Sequence, residues 1–299
     1  MSKSSERTGI AYGLGAYITW GFLTIYWKFL QAFNAFELIG WRIVTSAIIL
    51  LAVLLYNKQL RNLLSALKDR NIVLRILLAS VLLSINWTTY VWAVVHEHVL
   101  ETALGYFIAP LFTMVIGFAV LREPVRKAHQ LIIALATIAI AILTYSYGQP
   151  PWRALLIAMS WSIYGYLKKK VPLTSLESLS AEVFALVLPA IALVAFTFNR
   201  SDSVPNTAST LEWVLVLLTG LMTAIPLLMF GAASRRVRLS VLGPMQYLVP
   251  TFNFLLGWVI YNEDLDPLKL LGFALVWVGL AIFFLDSVVS EKSRQVAKL

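Results

Sequence analysis

Six ionisable side chains sit inside or at the ends of long apolar runs: Lys28, Glu37, Arg42, Glu101, Glu182 and Asp286. Burying charge among apolar residues is expensive, so such groups mark gating, coupling or substrate contacts by default. Lys28, Glu37, Arg42 and Glu101 fall near one end of their runs and are expected to form one gate network. Glu182 and Asp286 fall near the other end and are expected to form a second. Static helix-to-helix charge, with long side chains snorkelling, is the competing reading. Proton carriage would fall to Glu37, Glu182 or Asp286.

A second set is aromatic or amide. Tyr17 and Trp20 share a helical face, as do Asn86 and Tyr90 at i, i+4 spacing, with Trp87 between them. Tyr164 stands beside Trp161, and Tyr106 and Phe107 align with Gln246 and Tyr247 across an internal repeat. Aromatic bodies with hydrogen-bonding tips suit a substrate cavity for an amphipathic, ring-bearing ligand. Belts of Trp and Tyr at a membrane interface are the alternative. Pro110, Pro226 and Pro250 lie within apolar runs, where proline removes a backbone donor and bends a helix. They are candidate hinges or fixed bends.

Catalytic constellations are missing from this inventory. His96 and His98 flank Glu97 in a short loop and His129 stands alone, with no further ligand cluster beside them. The 299 residues contain no cysteine, which removes thiolate chemistry and disulfides. No phosphate-binding loop is present, so ATP-driven chemistry is not expected. The expectation is no catalytic residue, no metal and no cofactor.

The elements that must position these groups are membrane spans. The chain is 60% hydrophobic and 13% charged, against roughly 45–50% and about 25% in soluble domains. Apolar runs near 9–30, 36–56, 72–95, 102–121, 129–146, 151–167, 178–198, 211–233, 240–261 and 268–288 each suit a spanning helix of about 20 residues. The first is long and carries Trp20 and Lys28, so it is expected to remain as a helix, not to be cleaved as a leader. Alternate connections hold 18 of the 24 Lys and Arg, from Lys3 and Arg7 through Arg235 and Arg236 to Lys298. The other connections carry Glu97, Asp202, Glu263, Asp264 and Asp266. Basic loops stay cytoplasmic, which predicts cytoplasmic termini and reads the net charge of +9 as orientation, with no nucleic-acid partner.

Shifting the sequence by 140 residues superposes Pro110 on Pro250, Phe112 on Phe252, Gly117 on Gly257 and Glu123 on Glu263. The predicted fold is therefore all-α and polytopic: ten transmembrane helices in two inverted five-helix repeats, residues 1–147 and 148–299. Five spans per copy is odd, so the second copy enters the membrane from the opposite side. Inverted repeats with proline-bearing helices are the signature of secondary transporters, with substrate held between the copies.

Three stretches resemble the RarD branch of the drug/metabolite transporter superfamily: NWTTYVWAVV from Asn86, LETALGYFIAPL from Leu100 and RLSVLGPMQYLVP from Arg238. PLLMFGAASRRVRLS from Pro226 fits the same pattern, and each copy looks like an EamA domain. Gly272 and Gly279 depart from it, standing where the first copy has Ile132 and Ala139. The resemblance implies a permease of a bacterial inner membrane that exports small amphipathic organic molecules, drugs such as chloramphenicol or metabolites, by alternating access. A facilitative metabolite or amino-acid permease is the alternative within transport, and a lipid-handling membrane enzyme the alternative outside it. The expected partners are membrane lipids and the small organic substrate, with the chain a monomer or homodimer.

Overall fold

A computed structural model describes residues 3–121, 127–168, 170–234, 236 and 245–296. They form α1 (Lys3–Lys28), α2 (Ala35–Tyr56), α3 (Leu60–Ala66), α4 (Arg70–Val95), α5 (Val99–Leu121) and α6 (Lys127–Tyr147). Then come α7 (Trp152–Lys168), α8 (Ser175–Thr197), α9 (Val204–Thr207), α10 (Thr210–Ser234), α11 (Leu248–Leu255) and α12 (Pro267–Val296). A π-helical turn, Leu256–Ile260, prolongs α11. No strand occurs among the described residues.

Length and composition make α2, α4, α8 and most of α6 and α10 able to cross a membrane, with shorter apolar stretches in α5, α11 and α12. The expected ten runs correspond to α1, α2, α4 to α8 and α10 to α12, while α3 and α9 are short connectors. The ninth run differs from expectation. Its hydropathy predicts one helix over 240–261, yet Gln246 and Tyr247 form a turn and α11 starts at Leu248. Pro250 explains the start: it occupies the first turn, where a missing N–H leaves no bond unmade. Pro110 and Pro226 instead lie inside α5 and α10.

The repeat is visible in the elements. α2 and α8 begin at 35 and 175, α4 and α10 at 70 and 210, and α6 and α12 at 127 and 267. Even the caps correspond, because Asn34 and Thr174, 140 apart, close the N-termini of α2 and α8 with side-chain oxygens. Packing obeys the same exchange. α1 packs on α10 as α7 packs on α4, and α2 on α10 as α8 on α4. α1 meets α11 as α7 meets α5, whereas α2 with α8, α5 with α11, and α6 with α12 pair with their own counterparts.

Neither copy forms a core by itself. One buried cluster joins α1, α2 and α4 to α7, α8 and α10 through residues such as Trp27, Leu38, Leu83, Ile157 and Val183. A second joins α5 and α6 to α7, α11 and α12 through Leu104, Ile108, Leu143, Phe273 and Val276. Leucines such as Leu74, Leu77 and Leu188 point outward, as an apolar solvent permits.

The self-paired contact of α6 with α12 accounts for the departure at Gly272. A Cβ there would lie 2.5 Å from Leu143 Cγ, so the two helices meet only because this position lacks a side chain. Giving it the isoleucine of the equivalent position, Gly272→Ile, overpacks the seam and should cost about 1–3 kcal/mol. Thermal melts of the detergent-solubilised protein should show a lowered Tm, partly restored by adding Leu143→Ala.

Candidate functional site

One face of the molecule gathers the connections after α1, α4, α6, α8 and α11, and acidic side chains tie it together. The Glu263 carboxylate accepts the Val99 and Leu100 N–H groups at 2.6 and 2.8 Å, capping α5 from the other copy. The first turn of a helix offers unpaired N–H donors and a positive dipole end, which suits a carboxylate. Gly257 makes the approach possible, since a Cβ there would meet the Leu100 backbone nitrogen at 3.2 Å. Burial pushes the Glu263 carboxyl up from the usual range, while the two amides and Lys28 pull against it.

Three further ties cross between the copies on this face. Glu37 accepts the Val204 N–H at 3.0 Å and holds α9 against α2. Arg153 Nη1 donates to Glu101 at 2.6 Å, its guanidinium lying over the rings of Trp92 and Trp152. Ser146 donates to Asp266 at 2.8 Å, and Lys269 sits by Asp264 and Asp266. Lys28 reaches Glu97 at 4.0 Å.

Lys28, Glu37, Arg42 and Glu101 therefore do not form the single network expected of them. Each has its own partner, Glu97 for Lys28, the Val204 N–H for Glu37, Thr223 for Arg42 and Arg153 for Glu101, because packing decides which groups face one another. Arg42 has no carboxylate within reach among the described residues.

The opposite face holds Glu182, two turns into α8 and buried. It accepts from Tyr164 Oη at 2.9 Å, Lys168 Nζ at 3.0 Å and Ser178 Oγ at 2.7 Å. Charge-assisted bonds of this kind satisfy a carboxylate that would otherwise be costly to bury. Glu177 completes a capping box with Thr174. Asp286 is helical within α12, but its side chain lies outside the described set, as do Glu123 and residues 237–244.

Between the faces runs a polar seam shared by the copies. Thr24 on α1 donates to Asn253 Oδ1 on α11 at 2.8 Å, and its oxygen lies 2.9 Å from the Tyr90 hydroxyl. Asn253 reaches Thr102 on α5 at 3.3 Å. Tyr106 Oη donates to Asn86 Oδ1 at 3.2 Å, and Asn86 Nδ2 donates to the Ile157 carbonyl and Ser160 on α7. The rings of Tyr90 and Tyr106 stand edge to face at 6.0 Å, linking the two chains of bonds. Toward the termini, Tyr17, Trp20 and Phe230 form one aromatic cluster, and Tyr106, Trp161 and Tyr164 another.

Not every expected cavity residue joins this seam. Phe107 turns away to pack against Trp277, and Tyr247 packs on the α5–α12 cluster. Gln246 is exposed in the turn before α11. Trp87 faces Arg42. A separate groove of about 400 Å³, lined by Phe36, Ile85, Thr88, Trp92, Trp152 and neighbours, contains none of them. Its lining is nearly all apolar, so the seam has the better chemistry for recognition.

This arrangement can be set against known proteins. The sequence pattern of the EamA-like transporter family matches residues 7–145 and again 152–285. The chain belongs to the EamA-like transporter family. It is 40% identical to Protein RarD of Streptomyces exfoliatus, over 98% of this chain and 93% of that one. Identity is 31% to Protein RarD of Escherichia coli (strain K12), covering 98% and 99% of the two chains. It is 32% to the uncharacterized transporter YojE of Bacillus subtilis (strain 168), covering 99% of each. A solved crystal structure shares the fold with a TM-score of 0.57 at 17% identity, over 93% of this chain and 97% of that one. This EamA protein is thus an integral membrane transporter, all-α and polytopic.

Sequence reasoning did not single out Thr24, Thr102, Arg153, Ser160 or Asn253. Single polar residues in apolar helices have no spacing signal, and only Arg153, beside Trp152 at a span's start, offered one. Around Arg153 the loop histidine His98 is held down to about 4, first by burial and then by the positive charge of Arg153. His98 lies 3.7 Å from Glu101, but at neutral pH this is no ion pair, because Arg153 already supplies the charge. A histidine kept neutral in the folded state binds fewer protons than in the unfolded state. Stability should then fall as pH drops from about 6.5 toward 4 and level off below. His98→Gln should flatten that part of a Tm-against-pH curve relative to the parent protein.

Proposed function

We propose that this transporter exports small amphipathic organic molecules by alternating access, from a bacterial inner membrane with both termini cytoplasmic. The observation that carries the reading is the seam of amides, hydroxyls and tyrosines at the boundary between the two copies. Polar groups at that depth avoid lipid, and in transporters built from inverted repeats substrate sits at this boundary.

The ties on the acidic face suit the cycle. Glu263 on the α5 N-terminus, Glu37 on Val204 and Arg153 on Glu101 are bonds between copies that can break and re-form without chemistry. Pro110 and Pro226, inside α5 and α10, are where those helices bend if their ends swing. Glu182 is the proton carrier of this reading. It is buried, and its Tyr164, Lys168 and Ser178 partners can exchange when the carboxylate gains a proton. Membrane lipid and the small organic substrate are its partners, and the helices supply the route without a cofactor.

The test is flux in proteoliposomes against phenicols, quaternary amines and aromatic amino acids, with and without a pH gradient. Flux of at least one class, accelerated by the gradient, is the expected result. Flux indifferent to the gradient points to a facilitative permease. No substrate-dependent flux in any class overturns the transport mechanism proposed. Glu182→Gln should bring gradient-driven accumulation to background while leaving substrate exchange measurable.

A further inference from the structure

Arg42 is the charge that the interactions above leave unbalanced. It lies two turns into α2, 5% exposed. Its Nε donates to Thr223 Oγ1 on α10 at 3.0 Å. The guanidinium carbon stands 4.0 Å from the Trp87 ring centroid and 5.6 Å from that of Trp27. Among the described residues neither Nη1 nor Nη2 has an acceptor. The deeply set cations Arg153, Lys168 and Lys269 each face a carboxylate. Arg42 faces two aromatic rings.

The surroundings supply no counter-charge: the neighbouring hydroxyls give their protons to other partners, and one neighbouring donor has no acceptor. The Trp27 indole N–H is buried at 1% exposure with no hydrogen-bond partner. Tyr26 donates its hydroxyl to the Leu215 carbonyl, and Tyr106 donates to Asn86. The Thr24 proton goes to Asn253, so the Tyr90 hydroxyl donates to Thr24. Ring faces attract a cation but accept none of its N–H bonds in the fork geometry that guanidinium offers. A buried cation with free donors and an orphaned indole N–H beside it describe a site short of one oxyanion.

We propose that Arg42 recognises the carboxylate of an aromatic-bearing organic monoanion, which Nη1 and Nη2 bind as a bidentate pair. The proposal rests on the transport reading and names its substrate class. One guanidinium balances one negative charge, which favours a carboxylate over a doubly charged phosphate. The ligand's ring then meets Tyr90, one turn along α4 from Trp87, and its partner Tyr106. Arg42 belongs to the first copy and Thr223 to the second, so an occupied site touches both. Loading it would supply the counter-charge that the helices lack.

The probes are 3-phenylpropionate, its amide 3-phenylpropionamide, 3-phenylpropylamine and inorganic phosphate. Binding to the detergent-solubilised protein is read by calorimetry, and counterflow in proteoliposomes is read separately. The carboxylate should bind about tenfold to a hundredfold tighter than amide or amine, the range expected of a charge-assisted pair. Phosphate should not compete. Arg42→Gln should erase the preference, and Arg42→Lys, which keeps the charge without the fork, should restore only part of it. Equal binding of carboxylate and amide, or no carboxylate binding, overturns the proposal. So does an unchanged preference in Arg42→Gln. If that variant does not fold, the ligand series on the parent protein decides alone. Carboxylate binding without flux would leave the site standing and sink the transport reading. Flux of the amide and amine as fast as the carboxylate would do the reverse.

Discussion

Every polar group that this chain takes into the apolar layer must find its partner inside the protein. Hydrocarbon offers no hydrogen bonds, so the backbone is helical through each span and hydroxyls turn back onto their own helices. Thr19, Ser80, Thr89, Thr137 and Thr144 all donate to carbonyls one turn earlier. What cannot be satisfied locally must be satisfied across helices. That requirement places Asn86, Asn253 and Thr24 where the copies meet, because only there do facing helices supply acceptors.

The same constraint sorts the charges. A carboxylate at a helix start caps backbone donors, as Glu263 and Glu37 do for segments of the opposite copy. A carboxylate deeper in a span collects three donors, as Glu182 does. The bonds that close the acidic face are thus helix caps, one arginine pair and the Ser146–Asp266 hydrogen bond. They are strong enough to define a state and simple enough to be exchanged. Arg42, deep in α2, has two rings and a threonine hydroxyl in place of a carboxylate, and the unbalanced charge singles it out within the seam.

Much of the fold was legible in the sequence. Apolar run length gave the spans, and proline, glycine and glutamate matches at a 140-residue offset gave the repeat that the helix starts reproduce. Arg42 and Glu182 were legible as charges in apolar runs. Their partners were not, since pairing is decided by which faces meet after packing. Glu263 stood out as a repeat marker, but its role as a cap for α5 depends on a π turn and on Gly257 letting the copies touch. The break before α11 was not evident because Gln246 and Tyr247 are only two polar positions between apolar neighbours. Asn253 was hidden by being one amide in an apolar helix.

In the alternating-access cycle proposed above, the acidic face is a closed gate between two copies that rock against each other. The chain has no cysteine, so spin labels can be placed at will. Labels at Gln31 and Asp264 span the acidic face, and labels at Asn62 and Gln246 span the other; electron–electron resonance reads both distances in liposomes. With Glu263→Ala added to remove the α5 cap, the account predicts that the acidic-face distance lengthens while the other shortens. Distances that stay fixed, or that lengthen together, would contradict it.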